Sequence, residues 1–215
     1  MVILNGTSFY FILEPVMDMK RNEVKGYELL SRSYDGKINN EIFFKGLSAR
    51  MLKDLLLIQV DFFISKCIEN PSIQKNVFLN IPLEVVDDDS FLWKLNQLSK
   101  YVNINLEVQY QEGIVYSQYY NQLTEVNGQA LTVWIDDVTD CSAECLNALI
   151  GVGVKIDKHA FWNLFNKKSL SLSEIDMSNR SIIVEGVENG EHLSFLRDVS
   201  VPFAQGYYWP GLAFK

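Results

Sequence analysis

Three cysteines in 215 residues, Cys67, Cys141 and Cys145, are too few and odd in number for a disulfide framework. That excludes the small secreted scaffolds that depend on one and favours a reducing compartment. Cys141 and Cys145 stand four apart, but no further soft ligands lie near them, so a zinc site is not expected. Only two histidines occur, His159 and His192, neither in a His-Asp metal motif, and both read as surface or helix residues. There is no Gly-x-Gly-x-x-Gly or P-loop; Gly151 and Gly153 read as a turn between helix and strand. Basic residues are in deficit, 19 Lys and Arg against 27 Asp and Glu, and the net charge of −8 excludes general binding to DNA or RNA polymers. An anionic ligand stays compatible if metal ions supply positive charge locally. Met1 to Tyr10 lacks the basic start and apolar stretch of a leader, and no apolar run approaches bilayer length. No membrane contact is expected, and the chain reads as soluble and cytoplasmic. No linker, repeat or low-complexity stretch divides it, so residues 1–215 are expected to form a single domain.

What is present is a large apolar fraction, 48%, arranged in short runs. Strands are expected at Phe9–Leu13, Val24–Leu30, Val77–Ile81, Ile104–Val108, Leu131–Ile135, Gly153–Ile156, Ile182–Val184 and, weakly, Pro202–Ala204. Helical patterns separate most of them: Glu41 to Glu69, stopped by Pro71, then Asp87 to Lys100, Ile114 to Val126, Ser142 to Ile150, His159 to Lys168 and Glu191 to Val199. Alternating strands and helices imply a parallel sheet, and about eight strands in one domain imply a closed α/β barrel, the (β/α)8 or TIM-like architecture. Tyr116, Tyr119 and Tyr120 are expected to pack on that barrel.

The C-terminal ends of barrel strands open onto one face, where active sites sit. Glu28 marks the second strand, Asn80 the third, Glu107 the fourth, Asp136 and Asp137 the fifth, Lys155 the sixth and Glu185 the seventh, and Gln205 follows the last. A single acid at a strand end is ordinarily a solvated loop residue or a cap. Six strand ends carrying the same chemistry are a different matter. Carboxylates with one carboxamide are hard oxygen ligands that suit Mg²⁺ or Mn²⁺. Adjacent acids such as Asp136 and Asp137 need either raised pKa values or neutralising cations, and a two-metal site is the usual apparatus for attacking a phosphodiester. Lys155 is placed to orient the attacking water or to offset charge on the phosphate.

These residues resemble the EAL family of cyclic di-GMP phosphodiesterases, from about Phe9 to Tyr208. Phe11-Ile12-Leu13-Glu14-Pro15-Val16 is similar to the family's first strand, which usually ends in Gln-Pro-Ile. The Glu-Ala-Leu signature stands as Glu28-Leu29-Leu30, within Gly26-Tyr27-Glu28-Leu29-Leu30-Ser31-Arg32. Leu79-Asn80-Ile81, Leu106-Glu107-Val108, Ile135-Asp136-Asp137, Lys155-Ile156-Asp157, Glu185-Gly186-Val187-Glu188 and Gln205-Gly206-Tyr207-Tyr208 match its later motifs in order. The resemblance implies that Glu28, Asn80, Glu107, Asp136, Asp137 and Glu185 hold two metal ions, Mg²⁺ or Mn²⁺, with Asp136 bridging. It implies that Lys155 and Glu185 act on the water, and that Arg32, Gln205 and Glu188 serve the substrate. The implied reaction, in bacterial second-messenger signalling, opens cyclic di-GMP to linear pGpG.

The chain departs from the family in four places, one of them the end, Trp209-Pro210-Gly211-Leu212, which leaves the usual pattern. Leu29 replaces Ala in the signature; Tyr110 replaces a second Glu; and Asp137-Val138-Thr139-Asp140-Cys141 replaces a glycine-rich loop. In the family that Glu steadies that loop, so the two losses look like one coupled change, with Tyr110 either packing on the rebuilt loop or unrelated to it. A catalytically weak receptor for cyclic di-GMP and a regulator that binds a protein partner are therefore the alternatives to an enzyme. A homodimer is also compatible with the resemblance.

Overall fold

The structure, a computed structural model, describes residues 2–86, 88–111, 131–149, 152–168 and 181–215. Its strands are β1 (Val2–Leu4), β2 (Thr7–Asp18), β3 (Glu23–Ser33), β4 (Asn76–Asn80), β5 (Asn103–Gln109), β6 (Leu131–Val138), β7 (Gly153–Ile156), β8 (Ile182–Val184), β9 (Phe203–Gln205) and β10 (Leu212–Phe214). The helices are α1 (Asn40–Lys45), α2 (Ala49–Glu69), α3 (Leu83–Val86), α4 (Asp89–Leu98), α5 (Ala143–Ala148), α6 (Lys158–Asn166) and α7 (Gly190–Asp198). Strands β2 to β9 pair in chain order, and β9 returns to pair with β2, closing an eight-stranded barrel with helices between its strands. The short β1 and β10 add to β2 at Thr7–Phe9 and Phe11–Leu13.

Side-chain alternation divides this sheet into two environments. One face carries Phe9, Phe11, Leu13, Val77, Leu79, Ile104 and Leu106 into the layer shared with the helices, where Phe9 meets Phe43 and Phe44 and Phe11 meets Phe62. The other face fills the lumen with a separate cluster of Val16, Phe78, Trp134 and Ile183, against which Phe203 packs. Asn105 joins this lumen layer by accepting from Trp134 Nε1 at 3.0 Å. Two residues along a strand is the next position on the same face. Phe78 is thus followed by Asn80, Asn105 by Glu107, Trp134 by Asp136, Gly153 by Lys155, Ile183 by Glu185 and Phe203 by Gln205. The apolar plug is a floor, and the polar residues form the layer standing on it.

The sheet is not wholly parallel as the sequence suggests. β2 runs antiparallel to both β3 and β9, and only β3 to β9 are parallel. The reason is the connection: β2 and β3 are joined through residues 19–22, too short for a crossover. Asp18 Oδ1 accepts from the backbone of Lys20 and Arg21, and Asn22 has a positive φ of 55°. Glu28 therefore lies within β3, which continues to Ser33, rather than at a strand end. The expected helix from Glu41 to Glu69 is two helices, because Gly46 ends α1 and Ser48 caps α2 through Met51 N–H. Asp88 caps α4 through Phe91 N–H, so the run expected from Asp87 is helical from Asp89. The expected helix of residues 114–126, with Tyr116, Tyr119 and Tyr120, and Gly151 lie outside the described residues.

Gly153 is the lumen residue with the least latitude. A Cβ there would stand 2.3 Å from Trp134 Cδ2, in the middle of the indole. Gly153→Ala is expected to destabilise the protein by about 1–3 kcal/mol through overpacking. Gly36→Ala, with nothing within 4 Å, should be close to neutral. Urea unfolding of both variants checks this.

Candidate active site

At the centre of the polar layer is Lys155, whose side chain is only 1% exposed. Its Nζ lies 2.8 Å from Glu107 Oε1, 2.8 Å from Glu185 Oε1, 3.1 Å from Asp136 Oδ1 and 3.4 Å from Glu28 Oε2. Three strands and the residue that follows a fourth thus send carboxylates to one ammonium. Glu28 is fixed further by two carboxamides: Asn80 Nδ2 donates to Oε1 at 2.8 Å and Gln205 Nε2 to Oε2 at 2.6 Å. Asp137 stands on the corner that ends β6, where the pairing with β7 shifts register between Ile135 and Val138 and Asp137 takes a φ of 57°. Asp is among the few residues that accept this left-handed conformation cheaply. Gln109 Nε2 donates to its Oδ2 at 3.3 Å.

The cluster is electrostatically unbalanced. Burial pushes Glu107 well above the usual carboxylate range, with Lys155 opposing and Glu28 and Asp136 adding to the rise. Burial likewise lifts Glu185 from its ordinary 4.5 to about 7 and raises Asp137, with the Asp136 charge contributing to both. Glu28 is the exception. Burial acts to raise it too, but Lys155 and the hydrogen bonds from Gln205 and Asn80 outweigh burial and hold it below the ordinary value. Burial disfavours the Lys155 ammonium, yet Asp136, Glu107, Glu185 and Glu28 together keep its pKa well above normal.

These residues fit divalent cations. Glu107 Oε2 and Gln205 Oε1 are buried acceptors with no hydrogen-bond partner. Asp136, Asp137 and Glu185 each bring a carboxylate oxygen within 4.8 Å of the others. With all ionised, five carboxylates (Glu28, Glu107, Asp136, Asp137, Glu185) against one ammonium leave four net negative charges, which two divalent cations would neutralise. All donors are oxygen, the set that Mg²⁺ and Mn²⁺ prefer.

A cavity of about 790 Å³ opens from this layer. Asn80, Glu107, Asp136 and Asp137 line it, as do Arg32, Asn40, Phe44 and Gln59. Of the residues singled out in the sequence, Glu28, Asn80, Glu107, Asp136, Asp137, Lys155, Glu185 and Gln205 come together in the layer, and Arg32 lines the cavity. Glu188 does not join them: it is exposed, beyond the turn that follows Glu185. His192 is buried on α7 and supports that turn, its Nδ1 lying 3.3 Å from both Gly186 O and Glu188 N, against Phe161 and Phe165. Tyr110 contacts the residues that flank the rebuilt loop: Cys145 Sγ, on α5, lies 3.8 Å from its hydroxyl, and its N–H donates to Asp136 O at 2.8 Å. Sequence reasoning passed over Glu14, which pairs with Glu28 across the β2–β3 hairpin. The two-residue alternation of β2 puts it on the lumen face, but its place opposite Glu28 also needs the antiparallel pairing.

A model of the family described as EAL domain matches residues 3–210. Comparison with curated protein sequences gives no significant match. Among solved structures, the FimX EAL domain from Pseudomonas aeruginosa bound to c-di-GMP is 18% identical, with a TM-score of 0.67 over 94% of this chain and 89% of that one. The manganese/cyclic di-GMP complex of Klebsiella pneumoniae BlrP1 is 16% identical, with a TM-score of 0.71 over 99% of this chain and 60% of that one. The EAL enzyme Bd1971 in its cGMP-bound form is 20% identical, with a TM-score of 0.67 over 93% of this chain and 60% of that one. This chain therefore spans about 60% of the length of Bd1971 and of BlrP1. At these identities the likeness is one of fold.

The raised acids fix a pH dependence. A carboxyl whose folded pKa lies above its unfolded value stabilises the fold fully below the unfolded value, and that contribution is lost as pH rises through the folded one. For Glu185 the window runs from 4.5 to about 7, and Glu107 and Asp137 shift in the same direction. Glu28, held low, acts in the opposite sense and only below the ordinary carboxylate range. In EDTA, thermal stability should therefore fall as pH rises from about 4.5 to about 7. Saturating Mg²⁺ or Mn²⁺ should remove that slope, which calorimetry at several pH values checks.

Proposed function

Because the chain belongs to the EAL domain family, we propose that it is a metal-dependent phosphodiesterase that hydrolyses cyclic di-GMP to linear pGpG. The observation that carries this reading is the convergence of four carboxylates on one buried ammonium, with Asp137 beside them and an open cavity above, and with a charge surplus suited to two divalent cations. The cyclic di-GMP seen in FimX and, with manganese, in BlrP1 supports the choice of ligand.

Glu28, Asn80, Glu107, Asp136, Asp137 and Glu185 would hold the cations, Mg²⁺ or Mn²⁺. Bound there, such ions polarise phosphoryl oxygens and lower the pKa of a coordinated water. Lys155 orients the attacking water and offsets charge that builds on the phosphoryl oxygens, and Glu185, at the rim of the layer, takes up a proton from that water. Asn80 and Gln205 keep Glu28 ionised and aimed, so that it does not drift with the ligand. Arg32, on the cavity wall, meets a phosphate. The water oxygen forms the new P–O bond, the bond from phosphorus to the ribose 3′ oxygen breaks, and the leaving oxygen ends protonated.

A second reading is specifically motivated by the corner at Asp137. Tyr110 stands where the family has a glutamate, and the Asp137 carboxylate is shared with Gln109. A site so rebuilt would bind cyclic di-GMP and cleave it slowly, as a receptor. Turnover by the purified protein in Mg²⁺ and in Mn²⁺, followed by chromatography for pGpG, separates the two, with binding measured in Ca²⁺. Rapid pGpG formation is expected. Binding without turnover would make the protein a receptor, and neither would sink both readings. Asp136→Asn should reduce turnover by at least about 100-fold; undiminished turnover would show that the metal assignment is wrong.

A further inference from the structure

Glu14 is a further carboxylate on the lumen face of β2, outside the four that surround Lys155 and the neighbouring Asp137. It lies on β2 directly opposite Glu28 in the antiparallel register, and its Oε1 stands 3.7 Å from Arg32 Nη2. Its side chain is 25% exposed and that of Arg32 36%, so the pair is neither deep in the core nor fully solvated. Burial raises the Glu14 carboxyl, the Glu28 charge adds to the rise, and Arg32 opposes it. The wall of the cavity carries two cationic side chains among the described residues, Arg32 and Lys45. Lys155, beneath, is engaged by four carboxylates.

An anionic ligand entering this cavity faces a strongly acidic layer, and the guanidinium of Arg32 is the planar cation suited to a phosphate in two-point contact. That guanidinium already faces Glu14. At 3.7 Å the two are held by charge without a hydrogen bond, the kind of partner that a phosphate displaces readily but at a cost. Resting on the reading that this site takes a cyclic dinucleotide, we propose that Glu14 competes with the ligand's phosphate for Arg32 and so holds the affinity of the site for its anionic ligand down. Glu14 thus acts as an affinity-setting residue. It need not touch the reacting phosphorus to do so, because it changes what Arg32 must give up on binding.

The test is a double-mutant cycle read by calorimetric binding of cyclic di-GMP in Ca²⁺. Glu14→Gln keeps the size of the side chain and removes its charge. With Arg32 present, Glu14→Gln should tighten binding by about threefold to fivefold, the upper part of the range for a partly exposed ion pair. In the Arg32→Ala background the same change should move the dissociation constant by less than about twofold. Unchanged or weaker binding on Glu14→Gln overturns the proposal. So does an equal gain in both backgrounds, which would reflect a general field in place of competition for Arg32. Should Glu14→Gln fail to fold, Glu14→Asp draws the carboxylate back from Arg32 and should give a smaller gain of the same sign. If none of these proteins binds cyclic di-GMP, the dinucleotide reading fails, and the same four are then titrated with GMP, a single phosphate on a guanosine. The same criterion then decides the Glu14 proposal on its own, and absence of GMP binding overturns it as well.

Discussion

A lysine ammonium with 1% of its side chain exposed imposes a condition on everything around it. Removing such a charge from water costs several kcal/mol unless partners replace its hydration. Three strands and the end of a fourth supply those partners, Glu28 from β3, Glu107 from β5, Asp136 from β6 and Glu185 just beyond β8. Because Lys155 holds carboxylates from both halves of the barrel, the cluster ties the closed sheet across its lumen. Burial above all, with the crowding of these carboxylates added to it, pushes Glu107, Asp137 and Glu185 toward their protonated forms. The ammonium is sufficient to hold the cluster together and insufficient to neutralise it. A site in that condition is poised to take up further positive charge.

The geometry of the cluster comes from the floor beneath it. Trp134 lies flat over Gly153, Phe78 packs against Trp134, and Ile183 and Val16 complete the layer. Asn105 ties the indole nitrogen to Asn76 Oδ1 and to the backbone of Val77. Each polar residue sits one step above a floor residue on its own strand, so its height is fixed by the strand rise and its direction by the pleat. This is why residues far apart in the chain converge within hydrogen-bonding range. It is also why a packing change in the floor reaches the chemistry above it.

Most of this was legible in the sequence, for physical reasons that differ from element to element. Near-continuous apolar runs such as Val77–Leu79 and Ile182–Val184 fit strands covered on both faces, and helices between them make the barrel. The polar residues closing those runs, Asn80 and Glu185 among them, marked the open face. What was not legible was direction. The first two strands carry the same composition whether parallel or antiparallel, and only the short 19–22 connection decides it. Glu14 was missed for that reason, since its place opposite Glu28 exists only in the antiparallel hairpin. Helix interruptions at Gly46 and Ser48 were likewise hidden inside a longer apolar pattern, because two helices meeting at a cap share the periodicity of one.

The rebuilt corner after Asp136 shows how a site can keep its geometry while losing a side chain that a resemblance leads one to expect. The corner is tied from both sides by main-chain hydrogen bonds: Tyr110 N–H donates to Asp136 O at 2.8 Å, and Asp157 N–H donates to Val138 O at 3.0 Å. Substituting the side chain at position 110 leaves the first of these intact, since the bond belongs to the backbone. Asp157 is held in turn, its carboxylate accepting from His159 and Ala160 N–H at the start of α6. The left-handed turn at Asp137 is one that an aspartate tolerates, so no glycine is needed there. The direction in which Asp136 points is therefore set by strand pairing and a helix cap. The loop that follows, with the Tyr110 hydroxyl beside Cys145, is free to vary in sequence without moving the carboxylate that meets Lys155.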